Sequence, residues 1–286
     1  MAAKKSAGWA AFPHDAKAFQ FAGDALKKAW PKLHAGDCEP YPDAKHAAAL
    51  LKAAGKAAPK LDADALAAAL QDAWRAFHRG DFQQAFEAGE ALGPVGASVA
   101  VKALGIHATY LVEDEDERLR RHELGGKLAE AAVKALPDEA NSHYRHAFAL
   151  GRYSQGISIA KALKLGIAGK VRASLDTALE LAPKHAEAHM ALALYHAEIV
   201  GKIGAMIGGL TYGAKASEAD KHIREALKLT PASPIAHVEH GNLLLLLDAR
   251  RNEDAAAEAY EKAGKCKPLD AMETLDAAWA RAQIED

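Results

Sequence analysis

Apolar residues recur at fixed distances ahead of four prolines, Pro137, Pro183, Pro231 and Pro268. Alanine stands five residues before each proline, and small, aliphatic or aromatic residues stand eight and twelve residues before it. Offsets of three and four residues place these positions on one face of a helix. Because proline lacks an N–H and has a fixed φ, it ends that helix. The pattern therefore predicts an internal repeat in which one helix of each unit ends at a proline.

A second helix is predicted to begin after each of the first three prolines. Six residues beyond the proline stand His143, His189 and His237, and ten residues beyond it stand small residues. Small side chains allow a neighbouring helix to approach closely. The chain is rich in alanine, and no stretch alternates β-branched residues, which excludes a sheet. The sequence therefore predicts an all-α fold of stacked helical hairpins.

These features resemble the tetratricopeptide repeat, whose unit has about 34 residues. The last unit carries the family pattern at Ala256, Tyr260, Ala263 and Pro268, and residues 80–85 resemble the family's turn between paired helices. The resemblance implies an α-solenoid with a concave groove. In that family such a groove binds a protein segment.

The repeats are longer than those of the family. Successive prolines lie 46, 48 and 37 residues apart, and the excess falls in two Gly-containing insertions between paired helices, Gly151–Lys170 and Glu198–Ala216. Long repeats of this kind are similar to two specialised families. One is the T component associated with TRAP transporters, and the other is the regulator-of-microtubule-dynamics family. The insertion around 201–213 is expected to pack closely, bend, or gate the groove.

Three regions are predicted within one continuous solenoid. Residues 1–60 form N-terminal capping helices, residues 61–136 form degenerate repeats, and residues 137–286 form the long repeats. Glu113–Glu117 is predicted to be an acidic loop, solvated and paired with the arginines that follow it.

The candidate binding surface follows from the resemblance, because residues four, seven and eleven past the proline face the groove in that family. The candidate groove residues, with two from the next helical turn, are Tyr144, Phe148, Arg152, Met190, Leu194, Glu198, Ile235, Val238 and Asn242. Asn141 and Glu187 occupy the first position of the set. The groove is mostly apolar, so either it binds an apolar ligand or amphipathic helix, or the chain's own insertions or N-terminal helices fill it. For an open groove, a charge at Met190 or Phe148 should abolish partner binding and leave helicity intact.

Three functions are compatible with this pattern. The first is a non-enzymatic scaffold or adaptor for a protein segment. The second, implied by the transporter resemblance, is a carrier of an apolar small molecule. The third is an enzyme or metal protein that uses clustered histidines, among them His143 with His146 and His237 with His240. Equivalent histidines on stacked helices lie about 9–10 Å apart, too far to share an ion, so no metal, cofactor or catalytic residue is predicted.

Charge and hydropathy exclude some classes of binding partner and of cellular location. Lys and Arg total 36 against 38 Asp and Glu, a net charge of −2, which argues against a nucleic-acid partner. No stretch reaches the roughly 18 apolar residues of a membrane span, and Lys4 and Lys5 are not followed by a signal-peptide apolar run. The expected location is cytoplasmic. Self-association through the cap or the insertions is a further expectation.

Overall fold

A computed structural model describes residues 8–285, and every regular element in that range is helical. Lys4 and Lys5 lie outside the described residues. The α-helices are α1 (Ala25–Leu33), α2 (Ala44–Ala54), α3 (Ala63–His78), α4 (Phe82–Ala91), α5 (Ala97–Leu111), α6 (Glu115–Ala135), α7 (Ala140–Gln155), α8 (Ile159–Lys164), α9 (Ile167–Leu181), α10 (Ala186–Ile203), α11 (Ala205–Tyr212), α12 (Ala216–Leu229), α13 (Pro234–Lys265) and α14 (Ala271–Glu285). Three short 3₁₀ helices, Lys17–Phe19, Gly55–Ala57 and Gly93–Gly96, complete the set. The all-α, solenoid-like prediction is confirmed.

The prolines end helices where the sequence predicted. Each of α6, α9 and α12 ends two residues before its proline, and α13 ends three residues before Pro268. The next helix begins three residues after every one of the four prolines. Within α13 the backbone leaves helical geometry at Asp248, so this element is itself a hairpin of two helices. Among residues 8–285, no helix is long and apolar enough to cross a bilayer.

The histidine six residues past each of the first three prolines has a repeated structural role. Nε2 of His143, His189 and His237 lies 2.7, 3.1 and 2.9 Å from the carbonyl oxygen of the preceding proline. A carbonyl only accepts, so each imidazole donates this hydrogen bond. The same contact therefore fixes the proline turn against the next helix in three successive repeats.

The predicted acidic loop at residues 113–117 is wrong for most of its length. Asp114 is the N-cap of α6, and its carboxylate accepts a hydrogen bond from the backbone N–H of Glu117. Carboxylates are favoured in the first turn because the helix N-terminus carries unpaired N–H groups and a partial positive charge. The cluster therefore begins a helix, and Glu117 pairs with Arg120 and Arg121 one turn later.

The two insertions contain the short helices α8 and α11. Glycine separates α11 from its neighbours, because Gly204 and Gly213 both have positive φ, +84° and +62°. Gly201 serves close packing instead, since a Cβ there would lie 2.6 Å from the carbonyl oxygen of Leu246 on α13. Bending and close backbone approach thus account for three of the five glycines between 201 and 213.

The C-terminal helix joins the two ends of the array. Ala271, Met272 and Leu275 of α14 belong to the same buried cluster as Trp74 and Phe77 of α3. The helix α14 therefore packs back against the N-terminal half of the array.

Candidate functional site

A cavity of about 430 Å³ lies between the helices and opens to solvent beside α8, where the lining residues Ile159 and Leu163 are more than half exposed. Its walls come from α5, α7, α9, α10, α13 and α14, and residues of α8 and α11 border it. Phe148, Leu194 and Ile199 contribute apolar surface, whereas buried charged residues such as Arg145 and Asp276 line another part. The site is therefore amphipathic, with apolar walls and a polar base.

The structure brings seven of the nine predicted groove residues to this cavity. These are Tyr144, Phe148, Arg152, Met190, Leu194, Glu198 and Ile235. Val238 is not among the lining residues, because it is buried in a separate cluster with Tyr260. Asn242 also lies off the cavity, where it donates to Glu239 and accepts from the Tyr260 hydroxyl.

The loop between α1 and α2 covers one end of the groove. The backbone N–H of Glu187 donates to the carbonyl of Gly36 at 2.9 Å, and the amide of Asn141 donates to the carbonyl of Asp37 at 2.8 Å. Asn141 and Glu187 are the first groove positions of their repeats. The N-terminal segment therefore fills this end, as one of the two sequence-based explanations expected, while the cavity remains beyond it.

Asp37 is the centre of a buried charge cluster at the base of the cavity. Its Oδ2 lies 2.6 Å from both Lys102 Nζ and Arg145 Nη2, and its side chain is fully buried. Glu187 completes the cluster, 3.2 Å from Lys102 and 3.5 Å from Arg145. Burial by itself raises the pKa of Asp37, but Lys102, His34 and Arg145 outweigh it and hold that pKa well below its usual range. The carboxylate is thus charged and clamped between two cations.

A chain of hydrogen bonds extends from this cluster to the C-terminal helix. Asp37 Oδ1 lies 2.8 Å from His34 Nδ1, the Nε2 atoms of His34 and His78 are 3.2 Å apart, and His78 Nδ1 lies 2.7 Å from Asp270 Oδ2. Burial lowers the pKa of His34 to about 4. Two facing Nε2 atoms can share one proton, so the pair links α1 to α3 without two adjacent positive charges.

A second polar group at the base comprises Arg152, Glu239, Tyr110 and Asp276. Arg152 Nη2 lies 2.9 Å from Glu239 Oε1, and the Tyr110 hydroxyl donates to Asp276 Oδ1. Sequence reasoning found Arg152 but missed the other three, because no repeat position or motif marks them. Each partner comes from a different helix, so only the folded arrangement brings them together.

The clustered histidines are engaged with neighbouring residues. His146 Nδ1 is 2.9 Å from the Ser174 hydroxyl, His185 Nε2 is 3.1 Å from Asn141 Oδ1, and His189 and His222 contact through their Nδ1 atoms. Throughout residues 8–285, no three His, Cys, Asp or Glu side chains are placed to hold a metal ion together.

Comparison with known proteins finds one family. The model of the family "Regulator of microtubule dynamics protein 1-3" matches residues 100–206, a span from α5 into α11. It is one of the two specialised families that the long repeats resemble, and the matched region supplies much of the cavity wall. The chain has no match among the curated proteins searched.

Proposed function

We propose that this protein is a non-enzymatic carrier that binds a small molecule with an apolar part in the cavity between its helices. The observation that carries the proposal is an amphipathic cavity of about 430 Å³ that contains buried charged residues beside apolar walls. Small-molecule sites are commonly concave and mostly apolar, with a few placed polar groups, and have volumes of about 300–1,000 Å³. The volume and the lining of this cavity match such a site, which favours the carrier over the adaptor that the resemblance implied.

A protein-binding role is the second candidate, and it is favoured by exposed apolar side chains on the short helices of the insertions. Met206 and Leu210 on α11 are 78 and 86% exposed, and Ile159 and Leu163 on α8, at the edge of the cavity, are 54 and 56% exposed. Exposed apolar patches are typical of surfaces that contact other proteins. The matched family, whose name refers to microtubule dynamics, is consistent with this role.

The repeats themselves are proposed to be of the tetratricopeptide type. Support comes from the paired helices, the recurring proline turns and the alanine five residues before each proline. The cytoplasmic location and self-association expected from the sequence stay predictions.

A cavity-filling substitution tests the carrier. Leu194 is half-buried on α10 and lines the cavity, so a Leu194→Trp side chain would occupy space that a ligand needs. We expect the neutral fluorescent probe N-phenyl-1-naphthylamine to bind the native protein and to bind Leu194→Trp at least about tenfold more weakly. Fluorescence titration measures both affinities.

Leu210→Trp is the matched control, because Leu210 is exposed on α11 and does not line the cavity. Its probe affinity should equal that of the native protein, and circular dichroism should show native helicity for both variants. Equal probe affinity in Leu194→Trp and native protein would contradict the carrier.

A further inference from the structure

Asp276 has a buried carboxylate oxygen without a hydrogen-bond partner among residues 8–285. The residue is 1% exposed and lines the cavity wall from α14. Its Oδ1 accepts from the Tyr110 hydroxyl, whereas Oδ2 has no hydrogen-bond partner among residues 8–285. A buried polar atom without a partner costs about 1–3 kcal/mol. A ligand that donates to Oδ2 would remove this cost.

The buried cations at the base of the cavity pair with carboxylates other than Asp276. Lys102 and Arg145 are each bound to both Asp37 and Glu187, and Arg152 is bound to Glu239. These three cations therefore have carboxylate partners already.

The field around Asp276 is negative. Burial raises its pKa to about 8, Asp270, Glu187 and Glu239 shift it in the same direction, and only the hydrogen bond from Tyr110 opposes them. A ligand with a carboxylate or phosphate group would add a further negative charge here. A positively charged donor would both pair with Oδ2 and relieve the repulsion between carboxylates.

We propose that the carried molecule is a cationic amphiphile, a protonated aliphatic amine whose ammonium group binds Asp276 Oδ2. This inference rests on the proposed carrier function and specifies its ligand. The alkyl chain would lie along Phe148, Met190 and Leu194, which form the apolar wall. Its far end would reach Ile159 and Leu163 of α8, more than half exposed at the edge of the cavity.

Three eight-carbon ligands that differ only in their polar end test the proposal. Octylammonium, octanol and octanoate are each titrated against protein loaded with N-phenyl-1-naphthylamine at pH 8.5. In the native protein, octylammonium should displace the probe at a concentration at least about tenfold lower than octanol, and octanoate should be the weakest. In Asp276→Asn the advantage of octylammonium over octanol should vanish.

Glu273→Gln is the matched control. Glu273 lies one turn earlier on α14, is not a lining residue, and has a pKa that burial and Asp270 raise to about 8. Glu273 and Asp276 thus lie on the same helix, carry the same charge when ionised and have similar pKa values, but Glu273 does not line the cavity. The octylammonium preference should change less than about threefold in this variant, a difference of roughly 0.65 kcal/mol.

The pH dependence of octylammonium affinity distinguishes an Asp276 that binds the ammonium group from an Asp276 that only supports the fold. An alkylammonium keeps its proton up to a pH of about 10, as the lysine side chain does. The charged and titratable groups around Asp276 are Tyr110 on α5, Arg152 on α7, Glu187 on α10, Glu239 on α13, Asp270 just before α14, and Glu273 on α14. As the pH rises from 6 to 9, Asp276 loses its proton, so octylammonium affinity should rise in the native protein and in Glu273→Gln and stay flat in Asp276→Asn.

The outcomes separate this proposal from the carrier itself. If octanol and octanoate displace the probe as well as octylammonium does, the ammonium site is overturned and the carrier stands. If octylammonium keeps its advantage in Asp276→Asn, the head group binds elsewhere and the proposal also fails. If no ligand displaces the probe, both are overturned.

Discussion

Asp37→Asn is expected to cost about 3–5 kcal/mol in the free energy of unfolding, the range for removing one partner of a buried ion pair. The side chain is fully buried, and one of its oxygens contacts both Lys102 and Arg145 at 2.6 Å. Without the carboxylate charge, Glu187 alone would compensate two buried cations. Because native domains are stable by only about 5–15 kcal/mol, this loss is a large share of the total.

Urea unfolding followed by far-UV circular dichroism measures this cost. Asp72→Asn is the matched control, because Asp72 pairs with Arg75 at 2.7 Å but is 74% exposed. Exposed pairs contribute about 0–1 kcal/mol, so the control should remain close to the native protein. A loss for Asp37→Asn no larger than that of Asp72→Asn would mean that the cluster does not hold the N-terminal loop on the array.

Met190→Lys is expected to lower the free energy of unfolding by about 4 kcal/mol or more, because it places a charge in a packed core. Met190 is 3% exposed and packs with Ala193, Ile223 and Leu243. For an open groove, the sequence predicted that a charge here would abolish binding and spare the fold, whereas loss of folding would mark Met190 as a core residue. The structure favours the second outcome, because Met190 touches the cavity with only part of its surface and otherwise belongs to the core.

Met206→Lys is the matched control for this substitution. Met206 lies on α11 and is 78% exposed, so the same change of residue type should alter stability by no more than about 0.5 kcal/mol. Thermal unfolding of the two variants beside the native protein measures the difference. Equal stability of Met190→Lys and Met206→Lys would show that Met190 is not a core residue.

Local periodicity was enough to predict the helices that end at the four prolines. Helix spacing and proline chemistry act over a few residues, so these helix ends and the proline turns follow from positions such as Ala178 and Pro183. The groove positions came from the same register, and seven of them line the cavity. Val238 and Met190 lie on the predicted groove face of their helices but are buried against other helices. The helical register of a residue alone does not tell whether its side chain lines the groove or packs in the core.

The polar base of the cavity could not be predicted in this way. Asp37 meets Lys102 and Arg145 across 65 and 108 residues of sequence, and Tyr110 meets Asp276 across 166. Contacts of such separation depend on the packing of α14 against the N-terminal half of the array and on the path of the N-terminal loop. Neither the packing of α14 nor the path of the N-terminal loop produces a repeat or a residue spacing that can be recognised in the sequence.

Native mass spectrometry of the protein purified from its own host tests whether the cavity carries a small molecule. We expect extra mass on the folded protein that is lost on denaturation, and no extra mass on Leu194→Trp purified in the same way. Native protein at the mass of the bare chain, or the same extra mass on Leu194→Trp, would contradict the carrier function.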